Sequence, residues 1–215
     1  MQNKIIEEII KEKLVVIVRG VESDKLISVA EAIYKGGIRF MEITYSADGS
    51  ISDEETAENI KKLNEHFKGK MHIGAGTVLR EKQVELTYNA GGEFIISPDT
   101  YEAVIKKTKE LGMISMPGAL TPSEIQSAVR YGADFVKLFP VTNLGAGYVK
   151  AVKAPLSHVK LLAVGGINLD NIDEYLEAGV CGFGLGTNII DKNMVKNNDF
   201  DGITALAAKY VEAVK

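Results

Sequence analysis

Four residues of this chain carry chemistry that their neighbours do not. Lys137 interrupts the apolar run FVKLFP (135–140), Glu42 sits in RFMEITYS (39–46), Arg19 follows the apolar stretch of LVVIVRG (14–20), and Thr77 follows MHIGAG (71–76). Lys137 is the least expected, because lysine is seldom buried and desolvating an ammonium is costly. It has two readings. Its methylene stem can pack while the ammonium snorkels to water. Alternatively it is held inside, where desolvation or a nearby cation depresses its pKa and leaves a fraction as neutral amine. Such an amine can attack a ketone and form a Schiff base. Glu42 reads either as a buried ion-pair partner of Lys137 or Arg19, or as a proton-transfer carboxylate. Arg19 at a strand end is either exposed or paired, or turned inward beside the other three.

Whether the four meet depends on the elements that carry them. Short β-rich runs alternate with helical patterns along the whole chain. The predicted strands are 14–20, 39–46, 71–78, 94–98, 113–119, 135–141, 160–167 and 181–189. Helical patterns include 23–37, 101–112, 121–132 and 169–179, several ending in Gly. Ser23 and Thr121-Pro122 read as helix starts, with Glu124 placed for a capping box, and the acidic segment 46–55 reads as a loop with a helix start at Ser52 or Asp53. Eight strands, each followed by a helix and with no break in composition, predict one (β/α)₈ barrel over residues 1–215. An open doubly wound sheet is the alternative, although such sheets usually stop sooner. The N-terminal MQNKIIEEIIKEK reads as an extra amphipathic helix.

Side chains alternate along a strand. Met41, Ile43 and Tyr45 form an apolar face for the helices, which turns Glu42 into the barrel. Ile17 and Arg19 share one parity, as do Phe135, Lys137 and Phe139, and Thr77 lies near the C-terminal end of its strand. An amine, a carboxylate, a guanidinium and a hydroxyl then converge at the C-terminal mouth, where (β/α)₈ barrels place their active sites. The corners VGGIN (164–168) and GLGTN (184–188) end the last two strands. They are either ordinary tight turns or a phosphate cradle, since small residues let backbone N–H groups approach an anion.

Composition excludes several classes. Basic residues number 25 and acidic ones 29, for a net charge of −4, with no Lys/Arg-rich patch for nucleic acid. The single Cys181 forms no disulfide framework. No apolar run reaches the ~18–20 residues of a membrane span. The N-terminal segment lacks the apolar core of a signal peptide, so a soluble cytoplasmic protein is expected. His66, His72 and His158 are scattered and suggest structural or solvent roles rather than a metal site, and the acidic loop lacks calcium-ligand spacing. No metal or cofactor is expected.

The runs EIT (42–44), GAGTVL (74–79), ISP (96–98), PG (117–118), KLFP (137–140) and GGI (165–167) occur in an order and spacing that resembles the 2-keto-3-deoxy-6-phosphogluconate / 4-hydroxy-2-oxoglutarate aldolases. The resemblance spans essentially the whole chain. It implies a class I aldolase on a (β/α)₈ barrel, usually a homotrimer, acting on a small 2-keto-3-deoxy sugar acid. It implies Lys137 as the Schiff-base lysine and Glu42 as general acid/base, acting largely through a water. Thr77 would hold the substrate carboxylate with Arg19 nearby. Gly165, Gly166, Gly186 and Thr187 would hold phosphate, and Pro98 and Phe139 would wall the pocket. Two positions depart from many gluconate-type members. Ser46 stands where an Arg binds substrate, and Val164 stands where a Thr precedes the Gly pair. Galactonate-type aldolases are more similar at both, so the epimer stays open. A sugar-phosphate epimerase or isomerase on the same barrel, and an inactive barrel that binds a phosphosugar acid, are the alternative functions.

Overall fold

The computed structural model describes residues 2–215. Helix α1 (Gln2–Glu12) leads into β1 (Leu14–Val18), α2 (Leu26–Lys35), β2 (Phe40–Thr44), α3 (Asp53–His66), β3 (His72–Gly76), α4 (Glu81–Asn89), β4 (Phe94–Ile96) and α5 (Glu102–Glu110). The chain continues through β5 (Ile114–Met116), β6 (Gly118–Ala119), α6 (Pro122–Tyr131), β7 (Val136–Leu138), α7 (Gly145–Lys153), β8 (Leu161–Val164), α8 (Ile172–Glu177), β9 (Gly182–Leu185), α9 (Lys192–Lys196) and α10 (Phe200–Ala213).

All strand pairings are parallel, in the order β5-β4-β3-β2-β1-β9-β8-β7-β6. The two ends of that order, β5 and β6, are separated only by Pro117. A proline has no N–H to donate to the ladder, so it divides the fifth strand into two pieces. Its carbonyl still accepts from Lys137 N at 2.9 Å, and the Met116 carbonyl accepts from Ser97 N at 3.3 Å. The nine segments are therefore eight barrel strands, and the molecule is a (β/α)₈ barrel with an added N-terminal helix.

Strand alternation gives the barrel two apolar layers. Leu14, Val16, Val18, Met41, Ile43 and Ile73 face outward onto Val29, Ile33, Ile60 and Leu63 of the helices. Val15, Phe40, Phe94, Ile96, Ile114, Met116, Phe135 and Leu162 fill the interior, and Ile5 and Ile9 of α1 join this inner cluster. Phe40 and Phe94 open their strands, so α1 closes the N-terminal end. Each fully buried Ile or Phe contributes roughly 1.5–3 kcal/mol of transfer free energy. Replacing Ile9 by Asp would unseat this floor. The opposite, C-terminal mouth stays open.

Several local expectations hold. Thr121 and Glu124 form a reciprocal capping box with Pro122 in the first turn of α6, and Ser52 caps α3 through the Glu55 N–H. Ser23 does not start a helix. Helix α2 begins at Leu26, and the Ser23 hydroxyl instead accepts from Asn59 Nδ2 at 3.0 Å. A long-range partner has replaced the local cap. The pattern at 169–179 yields only Ile172–Glu177, because Asn168 and Asn171 hydrogen-bond each other in a turn before it. Among the described residues no helix is long and apolar enough to cross a membrane.

Candidate active site

Glu42 lies near the middle of β2, opposite Ile17 of β1 and Gly74 of β3. It is only 1% exposed. Burial in low dielectric disfavours the charged form and raises its pKa to about 7, against the opposing attraction of Lys137 and Arg19. Its Oε2 has no hydrogen-bond partner. That carboxyl is held near the pH at which proton exchange is most effective.

Lys137 is the central residue of β7, between Gly118 of β6 and Leu162 of β8. It is 8% exposed. Burial lowers its pKa, the Glu42 charge works against that change, and the Arg19 charge reinforces it. Its ammonium nitrogen sits 4.7 Å from the centre of the Phe139 ring. The snorkelling alternative does not fit a side chain this buried. A buried amine and a buried carboxyl, each moved toward neutrality and each within reach of the other's field, are suited to nucleophilic attack and proton transfer.

Arg19 and Thr77 meet across the mouth. Arg19 Nη2 donates to Thr77 Oγ1 at 3.0 Å. Thr77 has φ +55°, a left-handed conformation that is costly for a β-branched residue. The strained backbone turns the hydroxyl out of the strand path toward the guanidinium, a pattern that concentrates at functional sites.

Lys137, Arg19, Thr77, Pro98 and Phe139 line one cavity of about 870 Å³, together with Gly165, Gly166, Gly186 and Thr187 from the last two βα corners. Gly165 and Gly166 have φ +97° and +73°, which their lack of a side chain permits. A Cβ on Gly166 would stand 3.0 Å from Thr142 Oγ1. Asn171 Nδ2 donates to the Gly166 carbonyl at 2.9 Å, and Asn188 Nδ2 to that of Ile167 at 2.7 Å, which fixes the corner. Lys25 donates to the carbonyls of Val195 and Lys196 at 3.1 and 3.2 Å and ties α9 over the mouth.

Nine of the eleven residues singled out in the sequence share this cavity. Glu42 does not line it but is buried close enough to feel both cations. Ser46 does not line it either. Its hydroxyl is engaged with Asp48 and Ser50 in the turn after β2. Lys192 and Lys196 of α9 do line it. Sequence reasoning missed them because exposed lysines in a five-residue helix give no periodic signal. His72 lies at the other end of the barrel, where its two ring nitrogens are each 2.6 Å from a carboxylate oxygen of Glu93 and Glu8. Among the described residues no group of three or more His, Cys, Asp or Glu side chains could hold a metal ion.

Comparison with known proteins gives consistent matches. The family model described as "Aldolase: KDPG and KHG aldolase" matches residues 5–206. The 2-dehydro-3-deoxy-6-phosphogalactonate aldolase of Escherichia coli K12 is 30% identical over 95% of this chain and 98% of its own length. The 2-dehydro-3-deoxy-phosphogluconate aldolase of Haemophilus influenzae is 28% identical over 99% of this chain and 97% of its own. A crystal structure of KDPG aldolase from Legionella pneumophila, with pyruvate captured at low pH as a covalent carbinolamine intermediate, superposes with a TM-score of 0.82. It is 27% identical and covers 92% of this chain and 93% of that one.

Proposed function

This chain belongs to the KDPG and KHG aldolase family, and on that premise we propose a class I retro-aldol mechanism through Lys137 on a 2-keto-3-deoxy-6-phospho sugar acid of the gluconate or galactonate type. The observation that carries the proposal is the buried Lys137, its pKa lowered, on the wall of the cavity that also holds Arg19 and Thr77. The covalent pyruvate carbinolamine in the Legionella relative supports it.

In this scheme Arg19 and Thr77 hold the substrate carboxylate and so place C2 beside Lys137. The neutral amine attacks the C2 ketone, and the carbinolamine loses water to give an iminium. Glu42 takes the C4 hydroxyl proton through a bridging water. The C4 oxygen forms the aldehyde, the C3–C4 bond breaks, and its electron pair moves through C2 to the iminium nitrogen. Glyceraldehyde 3-phosphate leaves. The enamine takes a proton at C3, and water releases pyruvate from Lys137. A carboxyl with a pKa of about 7 can take the first proton and return one at neutral pH. Gly165, Gly166, Gly186 and Thr187 cradle the phosphate, and Pro98 and Phe139 bound the reacting centre. Assembly as a homotrimer follows from the family resemblance, and sedimentation velocity would check it.

Pyruvate release is the test of substrate class. The phosphorylated gluconate and galactonate epimers and the unphosphorylated acids are offered side by side. The scheme expects at least one phosphorylated epimer to be turned over with a kcat/KM well above that of its unphosphorylated form. Equal turnover with and without phosphate would remove the phosphate cradle from the scheme.

A further inference from the structure

The GAG run of β3 contains two glycines that face into the barrel, and they are small for different reasons. A Cβ built on Gly74 would lie 2.4 Å from Phe94 Cδ2 and 2.5 Å from the Phe94 carbonyl oxygen. That wall includes backbone and cannot retreat, so Gly74 serves the packing of the barrel interior. A Cβ built on Gly76 would lie 2.2 Å from Glu42 Oε1, 2.4 Å from Cδ and 2.7 Å from Oε2, and nothing nearer belongs to any other residue. The carboxyl of Glu42 thus occupies the volume that a side chain at 76 would fill.

We propose that Gly76 is a positioning residue for Glu42, the missing side chain of β3 forming the slot that fixes this carboxyl beneath the cavity. The proposal rests on the reading of Glu42 as the proton-transfer group. Gly76 is not required for the course of the backbone. Its φ is not among the left-handed ones, and its carbonyl accepts the Tyr45 N–H at 2.9 Å in an ordinary parallel ladder. Alanine fits that backbone. The three nearest atoms all belong to the end of one flexible side chain, so Glu42 yields rather than the strand. A carboxyl swung out of the slot leaves the reacting centre and regains solvent.

The test is a cycle of Gly76→Ala, Glu42→Ala and the double variant, with single-turnover and steady-state cleavage followed from pH 5 to 9. Gly76→Ala is expected to lower kcat about 10²-fold, the size of a displaced acid/base group, with KM changed by less than about threefold. The limb of its pH profile set by Glu42 should move to lower pH as the carboxyl is rehydrated. In the Glu42→Ala background, Gly76→Ala should change kcat by less than about twofold, since its effect runs through Glu42. A Gly76→Ala enzyme with wild-type kcat and an unmoved profile overturns the inference. So does a loss repeated in full without Glu42. If Gly76→Ala alone does not fold, recovery of folding in the double variant supports the clash, and failure to recover refutes it. Wild-type turnover by Glu42→Ala would instead remove the proton-transfer reading itself, and this inference with it.

Discussion

Replacing Glu42 by Gln should make the protein more stable at alkaline pH while disabling it. The carboxyl is buried, and burial raises its pKa from an ordinary 4.5 to about 7. Between those values the folded protein binds the proton that the unfolded chain has released, so stability falls as pH rises. Below pH 4.5 both states are protonated and the penalty vanishes. Above pH 7 it is complete. At about 1.4 kcal/mol per pKa unit, the rise corresponds to roughly 3 kcal/mol, of which about 2.5 kcal/mol develops between pH 5 and pH 8. Glutamine is close to isosteric with the neutral acid and carries no such penalty. Urea unfolding of both proteins, at one protein concentration, should therefore show Glu42→Gln gaining about 2–3 kcal/mol relative to wild type on going from pH 5 to pH 8. Over the same variants kcat should fall about 10²–10⁴-fold. A stability difference independent of pH would refute the reasoning, because it would mean that Glu42 stays ionised at no cost across this range.

Two further outcomes are expected. Thr77→Gly relieves a left-handed backbone but frees the unfolded chain and removes the hydroxyl bonded to Arg19, so thermal melts should show a change below about 1 kcal/mol, while loss of the hydroxyl raises the KM for substrate roughly tenfold. For His72, burial alone would lower the pKa, but its hydrogen bonds and charge interactions with Glu93 and Glu8 outweigh burial and raise it above 6.5. Its stabilising contribution is thus complete below pH 6.5 and is lost as pH rises through the higher folded value. Melting of His72→Gln beside wild type at pH 5.5 and pH 9 should show a large deficit at the acid pH and a small one at the alkaline pH.

The site was legible where chemistry and strand parity coincide. Lys137 and Glu42 each break an apolar run, and period-two alternation turns both inward. The glycine corners were legible because they end the last two strands. What stayed hidden depends on distances between residues far apart in sequence. Gly76 matters through the end of a side chain on the neighbouring strand, and no single-strand pattern reports that. Ser46 was placed by sequence position, yet short-range bonds to Asp48 and Ser50 hold it in its own turn. His72 was read as structural or solvent-facing, but its two carboxylate partners come from α1 and from the residue just before β4, segments brought together only by the closed barrel. The amphipathic α1 was legible as a helix. Its role as the barrel floor was not, since only the packed interior shows where Ile5 and Ile9 go.

The central claim is that Lys137 forms the imine. Incubation of the protein with pyruvate, reduction with borohydride and peptide mass mapping tests it directly. An adduct on the peptide carrying Lys137, absent from Lys137→Met, is the predicted result. No adduct on a folded protein would contradict the account and leave Lys137 as a buried partner of Glu42.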